Sequence, residues 1–487
     1  MGVGFVDSHL HLDLSLFDED RDSVVSRARQ ANVVAMLNPG HNLESSRKAI
    51  QLAERYPELY AAVGVHPHDA AADDARVAGW KPASQGEEAI RELARHPRVV
   101  AIGEIGLDYY RNLSPPETQR CVFLKYLRLA RELNLPVIVH CRDAFEDVCG
   151  MLEEVQARRG GPALQEEKSQ DLRGVLHSFS GDESSAFRLL DIGFFISFSG
   201  QITYPKSDSL RSVARELPIE KMLIETDSPF LPPQARRGRR NEPSFVAHIA
   251  GELARVKGLS VEDVARITTA NVRRLFGIGP EVEAGRIAYR IRNSLYLNIT
   301  NECTNACVFC RRQTNPVVKG HDLRLKKEPT FEEIVAAIGE HHGYGEIVFC
   351  GYGEPLLRLE VVKQVAQFLR GKADAGETPA LLRINTNGLA NLVHGRNIVP
   401  ELIPLVRSFS VSLNAPSAEE YQRLCRSRYG AAAYEEVKRF IRECRESGAS
   451  VIATVVAVPG LDLEACRKVA EEELGAMLRV REYDEVG

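Results

Sequence analysis

Short apolar runs alternate with longer amphipathic stretches through the first half of the chain, and the number of those runs limits the fold more than any other feature. They are FVDSHLHL (5–12), VVAMLNPG (33–40), YAAVGVHP (60–67), VVAIGEIGLDY (99–109), PVIVHCRD (136–143), GVLHSFSG (174–181), FFISFSG (194–200) and MLIETDSPF (222–230). Helical patterns such as SSRKAIQLAERY and TQRCVFLKYLRLAREL lie between them. Strands that alternate with helices build parallel sheets, and eight such repeats close a (β/α)₈ TIM barrel. The pattern VEDVARITTANVRRLF (261–276) is expected to be the last helix of this domain, with GIGPEVEAGR as the connection.

The alternation then resumes on a smaller scale. SLYLNIT (294–300), EIVFCGYG (346–353), LLRINTNG (381–388), SFSVSLNA (408–415), SVIATVVAVP (450–459) and LRVREY (478–483) make six strands, the number of an open, partial (β/α)₆ barrel. Residues 311–329 are polar and charged, carry neither pattern and are expected to form a mobile loop. The expected organisation is therefore a domain over 1–278, a linker over 279–293 and a second domain over 294–487, each long enough to bury a core.

Composition excludes several classes. The net charge of −5 gives no global basic signal, so any contact with nucleic acid has to come from a local patch. No run of about 18 uncharged apolar residues suggests a membrane span, and no basic segment followed by an apolar run suggests a signal peptide. Ten irregularly spaced cysteines do not make a secreted disulfide framework, so a reducing cytoplasm is the expected location.

Histidines and acids gather at the ends of the first eight strands. His9 and His11 stand two apart on strand one and face the same side. Glu104 lies late in strand four, and His140, His177 and Asp227 end strands five, six and eight. In a closed barrel those strand ends form one rim, where active sites are built. A single histidine at a strand end is more often a packed residue than a ligand, but six donors from five strands on one rim are hard to ascribe to packing. Mixed imidazole and carboxylate donors suit Mg²⁺, Mn²⁺ or Zn²⁺. A carboxylate between two histidine-rich clusters can bridge two ions acting on a phosphodiester.

VDSHLHLD, GVHPHD, AIGEIGLDYY, VIVHCRDA, LHSFSG, ETDSPFLPP and RGRRNEP resemble the successive motifs of the TatD family of metal-dependent deoxyribonucleases, a branch of the metallo-hydrolase barrels. The resemblance implies His9, His11 and Asp227 on one metal, His140 and His177 on the other, and Glu104 bridging them. Glu104, Asp227 and His66 are then the expected catalytic residues, with His66 holding a substrate phosphate or a water beside the metals. The basic run Arg236, Arg237, Arg239 and Arg240 follows Asp227 on the same rim; Arg237, Arg239 and Arg240 are the expected phosphate contacts of DNA or another phosphodiester substrate.

In the second half, CTNACVFC (303–310) gathers three cysteines within eight positions. A disulfide would leave one unpaired, and a structural zinc needs four ligands, for which His321 and Cys350 are not suitably spaced. An iron–sulfur cluster remains. A [4Fe–4S] cluster held by Cys303, Cys307 and Cys310 keeps one iron without a protein ligand. The C-x₃-C-x₂-C spacing, with Phe309 before the last cysteine, resembles the signature of the radical S-adenosylmethionine superfamily.

The later strand ends resemble that superfamily in order. GYGEP (351–355) is similar to its glycine-rich loop, which implies that Gly351, Gly353 and Glu354 hold the methionine amino group, with Tyr352 standing where a second glycine is common. Asn385 in NTNG, then Ser412 and Asn414 in SLNA, are the further residues implied for S-adenosylmethionine, the last two at its ribose. Backbone in VAVPG (456–460) would meet adenine. The implied chemistry is reductive cleavage of S-adenosylmethionine to a 5′-deoxyadenosyl radical, which needs an electron donor such as flavodoxin or ferredoxin. Cys350, Cys425, Cys444 and Cys466 show no paired spacing, so one cluster is expected and no auxiliary one. The leading expectation is a bifunctional enzyme, a phosphodiester hydrolase fused to a radical enzyme of unassigned substrate. The alternatives are a nucleic-acid or nucleotide modification enzyme whose barrel mainly binds the polymer, and a non-enzymatic iron–sulfur redox sensor.

Overall fold

The computed structural model describes residues 4–73, 84–157, 171–310, 312, 316–339, 344–374 and 380–483. The chain divides into two compact units, Met1–Glu281 and Val282–Gly487. No helix among the described residues is long and apolar enough to cross a membrane.

The first unit is the expected barrel. Strands β1 (Phe5–Asp7), β2 (Val33–Pro39), β3 (Leu59–Val63), β4 (Val99–Asp108), β5 (Val137–Arg142), β6 (Gly174–Leu176), β7 (Phe195–Phe198) and β8 (Met222–Ile224) pair in parallel in chain order. The two edges meet through Ser8 N to Ile224 O (3.2 Å), Asp227 N to His9 O (2.9 Å) and a parallel bridge between Leu10 and Ser228. β1 ends at Asp7, so His9 and His11 lie just beyond the strand, on extended chain whose alternation the Leu10 bridge preserves.

Inward side chains fill the barrel. Val6, Ala35, Ala62, Ala101, Ile138, Val175, Phe195 and Leu223, one from each strand, form a single buried cluster with Val272, Leu275 and Phe276 of the helix Val261–Phe276. That helix starts at a Ser260–Asp263 capping box and stops at Gly277, whose φ of 74° suits glycine. Thr269 Oγ1 donates to Gly4 O (3.0 Å), and Asn271 Nδ2 donates to Ile219 O and Met222 O (both 2.8 Å). These carbonyls lie just before β1 and at the start of β8, so the helix seals the N-terminal mouth and leaves the C-terminal mouth for chemistry.

The second unit is a seven-stranded sheet. β10 (Ser294–Asn298), β13 (Glu346–Cys350), β14 (Leu381–Thr386), β15 (Ser408–Ser412), β16 (Ser450–Ala457) and β17 (Met477–Glu482) are the six expected parallel strands. The seventh, β9 (Ala288–Ile291), pairs antiparallel with β10 and lies in the segment expected as a linker. The two-residue Arg292–Asn293 turn, with Arg292 at φ 53°, joins them without the Asn-Gly or Asp-Gly signal of such hairpins. The segment expected as a loop also carries a hairpin, β11 (Val317–Val318) with β12 (His321–Asp322), turned by Lys319 and Gly320, both at positive φ.

Asn271 is the polar pin of the sealing helix. Asn271→Ala removes two buried hydrogen bonds, to Ile219 O and Met222 O, and is expected to lower the stability of the first unit by about 1–3 kcal/mol. The urea midpoint followed by far-ultraviolet circular dichroism measures this, and an unchanged midpoint would show that the apolar cluster alone holds the helix.

Candidate active sites

β4 brings a carboxylate to the centre of the C-terminal mouth. Gly106 makes this possible: at φ 147° its Cα runs so close to β5 that a Cβ would stand 2.0 Å from His140 O. Glu104 then divides its two oxygens. Oε2 lies 3.4 Å from His9 Nε2 and 3.7 Å from His11 Nε2, and those imidazoles lie 3.9 and 3.6 Å from Asp227 Oδ1. Oε1 lies 2.8 Å from His177 Nε2, 2.9 Å from His140 Nδ1 and 3.4 Å from His66 Nε2. The other five predicted donors, together with His66, therefore gather around the buried carboxylate of Glu104.

The hydrogen bonds behind the rings decide which nitrogens face the mouth. His177 Nδ1 lies 3.3 Å from Glu225 Oε1, which also accepts from Ser178 N (2.7 Å). His140 Nε2 lies 3.2 Å from Asp108 Oδ2, the oxygen that also meets His68 Nε2 at 2.9 Å. Each carboxylate takes the proton-bearing nitrogen and turns the other lone pair inward, as ligating histidines require. His66 is set the other way. Its Nδ1 accepts from His68 N (3.1 Å), so the proton of the neutral ring sits on Nε2 and His66 offers the mouth an N–H.

Electrostatics fit this division. Burial opposes charge on Glu104, yet His177, His66 and His9 hold its carboxyl well below the usual range. Burial likewise opposes the charge of Asp227, but the hydrogen bond from His11 keeps its pKa low. Burial works against His11 as well, and the Asp227 bond with the Glu104 charge overcomes it, pushing the imidazole up to about 9. Burial pulls His66 down to about 3, which keeps it neutral.

The donor set suits divalent cations. His9 Nε2 approaches His11 Nε2, and His140 Nδ1 approaches His177 Nε2, both at 3.2 Å. Nitrogen lone pairs aimed at one point, with ionised carboxylates between them, are the environment a cation satisfies. The sets His9–His11–Asp227 and His9–Glu104–His177 each keep their donor atoms within 4.8 Å of one another, as does His66–Glu104–His140.

In the second unit the open barrel keeps an interior cavity of about 500 Å³. Cys303, Cys307, Cys310 and Phe309 line it, as do Gly351, Gly353, Glu354, Asn385, Ser412 and Asn414. Backbone hydrogen bonds hold the cysteine loop. Gly353 N donates to Thr300 O (2.9 Å) and Glu354 N to Glu302 O (2.7 Å), an approach in which a Cβ on Gly353 would stand 2.1 Å from Glu302 O. The Glu354 carboxylate accepts from Leu356 N (3.0 Å), Thr386 Oγ1 (2.9 Å) and Asn387 N (2.6 Å), and burial pushes it up to about 7. Both its oxygens are thus engaged in bracing the NTNG loop. Asn414 Nδ2 is also engaged, 3.5 Å from Cys425 Sγ.

Sulfur receives N–H donors here: Asn305 N lies 3.4 Å and Asn387 Nδ2 3.7 Å from Cys303 Sγ. Burial pushes the Cys303 thiol up to about 11 and raises Cys310, so binding iron there releases protons. Three cysteines on one cavity, with N–H groups aimed at sulfur, fit a thiolate-held cluster. Cys350 lines the same cavity from the end of β13. Cys425 stands behind Cys307, where Ala306 N donates to Cys425 O (3.0 Å).

Comparison with known proteins agrees with both geometries. Residues 6–277 match the family model described as TatD related DNase. The chain belongs to the TatD family. Residues 297–472 match the radical SAM superfamily, so a TatD domain is joined to a radical SAM domain in one chain, and both are enzyme domains. Over 56% of its length the chain is 38% identical to YabD, an uncharacterised metal-dependent hydrolase of Bacillus subtilis, spanning 98% of that protein. It is 39% identical to the 3′-5′ ssDNA/RNA exonuclease TatD of Klebsiella pneumoniae, again over 56% of this chain and across 97% of the relative. The crystal structure of a TatD homologue from Escherichia coli K12 covers 57% of the chain and all of its own, with 30% identity and a TM-score of 0.50.

Within the TatD domain the arginine loop is partly committed. Arg240 stacks on Phe17 (4.4 Å), donates to Leu16 O and pairs with Asp20 (2.6 Å). Its guanidinium is taken up in holding the loop after β8 to the loop after β1. Arg237 lies over the Tyr204 ring (4.5 Å), and Arg237 and Arg239 are both exposed. Asp108 and Glu225 are functional neighbours that the strand-end reading missed, although LDYY and ETDSP contain them.

Asp108→Asn and Glu225→Gln each remove the charge that fixes one histidine. Each is expected to weaken Mn²⁺ binding by about 10–100-fold in calorimetric titration of the metal-stripped protein. Affinity equal to wild type would mean that packing alone orients the rings.

Proposed function

We propose that the TatD domain hydrolyses phosphodiester bonds of nucleic acid, with DNA as the leading substrate, and that the radical SAM domain cleaves S-adenosylmethionine reductively. The observation that carries the first half is the division of Glu104 between two donor sets. His9, His11 and Asp227 would hold one divalent cation, His140 and His177 the other, and Glu104 both. Bound there, the cations supply Lewis acidity toward a phosphodiester. The protein's own groups do the rest. Asp227, kept ionised in a buried site, accepts a proton at Oδ1 from an attacking water. His66 donates Nε2–H to a phosphate oxygen, and Arg237 and Arg239 contact the flanking backbone. The Klebsiella relative is described as acting on single-stranded DNA and RNA from the 3′ end, which makes a 3′-terminal strand the substrate to test first.

In the radical SAM domain Cys303, Cys307 and Cys310 would hold one [4Fe–4S] cluster. Bound there, the cluster supplies the electron that splits S-adenosylmethionine into methionine and a 5′-deoxyadenosyl radical, drawn in turn from a reductant such as flavodoxin or ferredoxin. Ser412 contacts the ribose, and the backbone of Gly351 and Gly353 contacts the amino acid end. Glu354 acts at close range through the NTNG loop it braces.

Two substitutions separate the activities. Glu104→Ala should reduce cleavage of a labelled single-stranded oligonucleotide to the level of the chelated protein, while 5′-deoxyadenosine release stays intact. Hydrolysis by Glu104→Ala equal to wild type would sink the two-cation reading. Replacing Cys303, Cys307 and Cys310 with Ala should lower iron from about four per chain to background after anaerobic reconstitution and end 5′-deoxyadenosine release. Retained iron in that variant would place the metal elsewhere.

A further inference from the structure

The inner face of β17 carries charge that the S-adenosylmethionine reading does not use. Leu478 joins the core under the helices, and the alternate residues Arg479, Arg481 and Tyr483 line the cavity. Arg479 sits beside Thr454 of β16, which in turn sits beside Ser412 of β15, and Arg481 sits beside Val456. Both arginines are therefore at least one strand beyond the residues expected at the nucleoside. Neither guanidinium has a hydrogen-bond or ion-pair partner among the described residues. Other arginines of this unit, Arg358, Arg396, Arg439 and Arg467 among them, pair with glutamates.

The surroundings favour an anion. Arg312, Lys319 and Arg383 also face the cavity, against the carboxylates Glu354 and Glu482. Glu354 accepts hydrogen bonds at both oxygens, from Leu356 N and from Thr386 and Asn387 of the NTNG loop, and Arg383 is bound to Glu346 (2.9 Å). Across the cavity from β17, Tyr289 and Tyr296 stack at 5.4 Å with 19° between their planes and give an apolar wall. The charge of Arg481 reaches Tyr289 and Cys350, where it partly offsets the burial that raises their pKa values. Two guanidiniums two residues apart on one strand face repel each other, and an oxyanion between them relieves that repulsion while meeting their planar donors.

We propose that the radical SAM cavity receives an anionic substrate whose carboxylate or phosphate is held by Arg479 and Arg481, with its apolar part toward Tyr289 and Tyr296. This rests on the radical SAM reading of the unit and adds the substrate class to it. The test is arginine labelling of the reconstituted full-length protein with phenylglyoxal, followed peptide by peptide by mass spectrometry at constant ionic strength. Inorganic phosphate and succinate are the probes, with chloride as the reference and the Glu401-paired Arg396 as the internal control. Labelling of Arg479 and Arg481 should slow about ten-fold at roughly ten times the dissociation constant of the effective probe, with Arg396 unchanged. Protection by phosphate alone assigns a phosphate group, and protection by succinate alone assigns a carboxylate. Equal rates in all salts overturn the proposal. So does protection by S-adenosylmethionine that leaves no further effect of either probe, since the arginines then belong to the methionine carboxylate. Labelling needs no turnover, so failure of the underlying reading shows separately, as absent iron and absent 5′-deoxyadenosine.

Discussion

A buried carboxylate ringed by five imidazoles sets the terms for the TatD domain. Glu104 is 3% exposed, and an ion so removed from water is tolerated only with compensating charge and hydrogen bonds. His9, His11, His66, His140 and His177 supply that compensation from four other strand ends. Their nearest carboxylates, Asp108, Glu225 and Asp227, then hold the rings. The arrangement is costly to assemble from flexible chain, because His9 and Asp227 are separated by most of the domain. It persists because the barrel beneath is filled from every strand and sealed by one helix, so the strand ends cannot drift apart.

The two domains use the same elements to opposite ends. Eight strands close, and their inward residues are Val, Ala, Ile, Leu and Phe, packed into a solid core that pushes the site to the rim. Six strands stay open, and alternate residues on the later ones, Asn385, Ser410, Ser412, Thr454, Arg479 and Arg481, line a cavity. The outward partners Ile384, Phe409, Val411, Ala453 and Leu478 form the apolar core under the helices. A period-two alternation therefore encodes a packed interior in one half and a binding interior in the other, depending on what stands at the inward positions.

This difference explains what the sequence made legible. Strand positions and rim histidines are carried by local periodicity and by the fixed direction of a closed parallel sheet, so His9, His140 and Asp227 converge as their strand ends imply. Asp108 and Glu225 escaped because their role depends on which ring nitrogen they meet, a fact of geometry and not of spacing. Arg240 stands in a basic run, yet a phenylalanine and an aspartate from the loop after β1, more than 200 residues away, take its guanidinium. β9 escaped because a four-residue strand leaves little periodicity and its turn uses Arg292 and Asn293. For Glu354 the resemblance implies a ligand contact, and the folded loops add what spacing does not carry: its carboxylate also accepts from Thr386, Asn387 and Leu356.

That occupied glutamate bears on how the second site keeps its shape. Three loops, following β10, β13 and β14, meet around the cavity. Glu354 ties the second loop to the third, Asn387 ties the third to Cys303 and Thr304, and the backbone of Gly353 and Glu354 ties the second to the first. The result is a closed circuit of hydrogen bonds around the cavity, so displacement of one loop strains the other two. On the proposed function, S-adenosylmethionine would meet a cradle of loops already tied to one another, and less of the ordering cost would fall on binding. Such a cradle also accounts for the glycine at 353: with a Cβ 2.1 Å from Glu302 O the first link of the circuit cannot form. The glycine-rich loop in this domain therefore contributes by letting two backbones touch, and the side chain beside it contributes by locking a third.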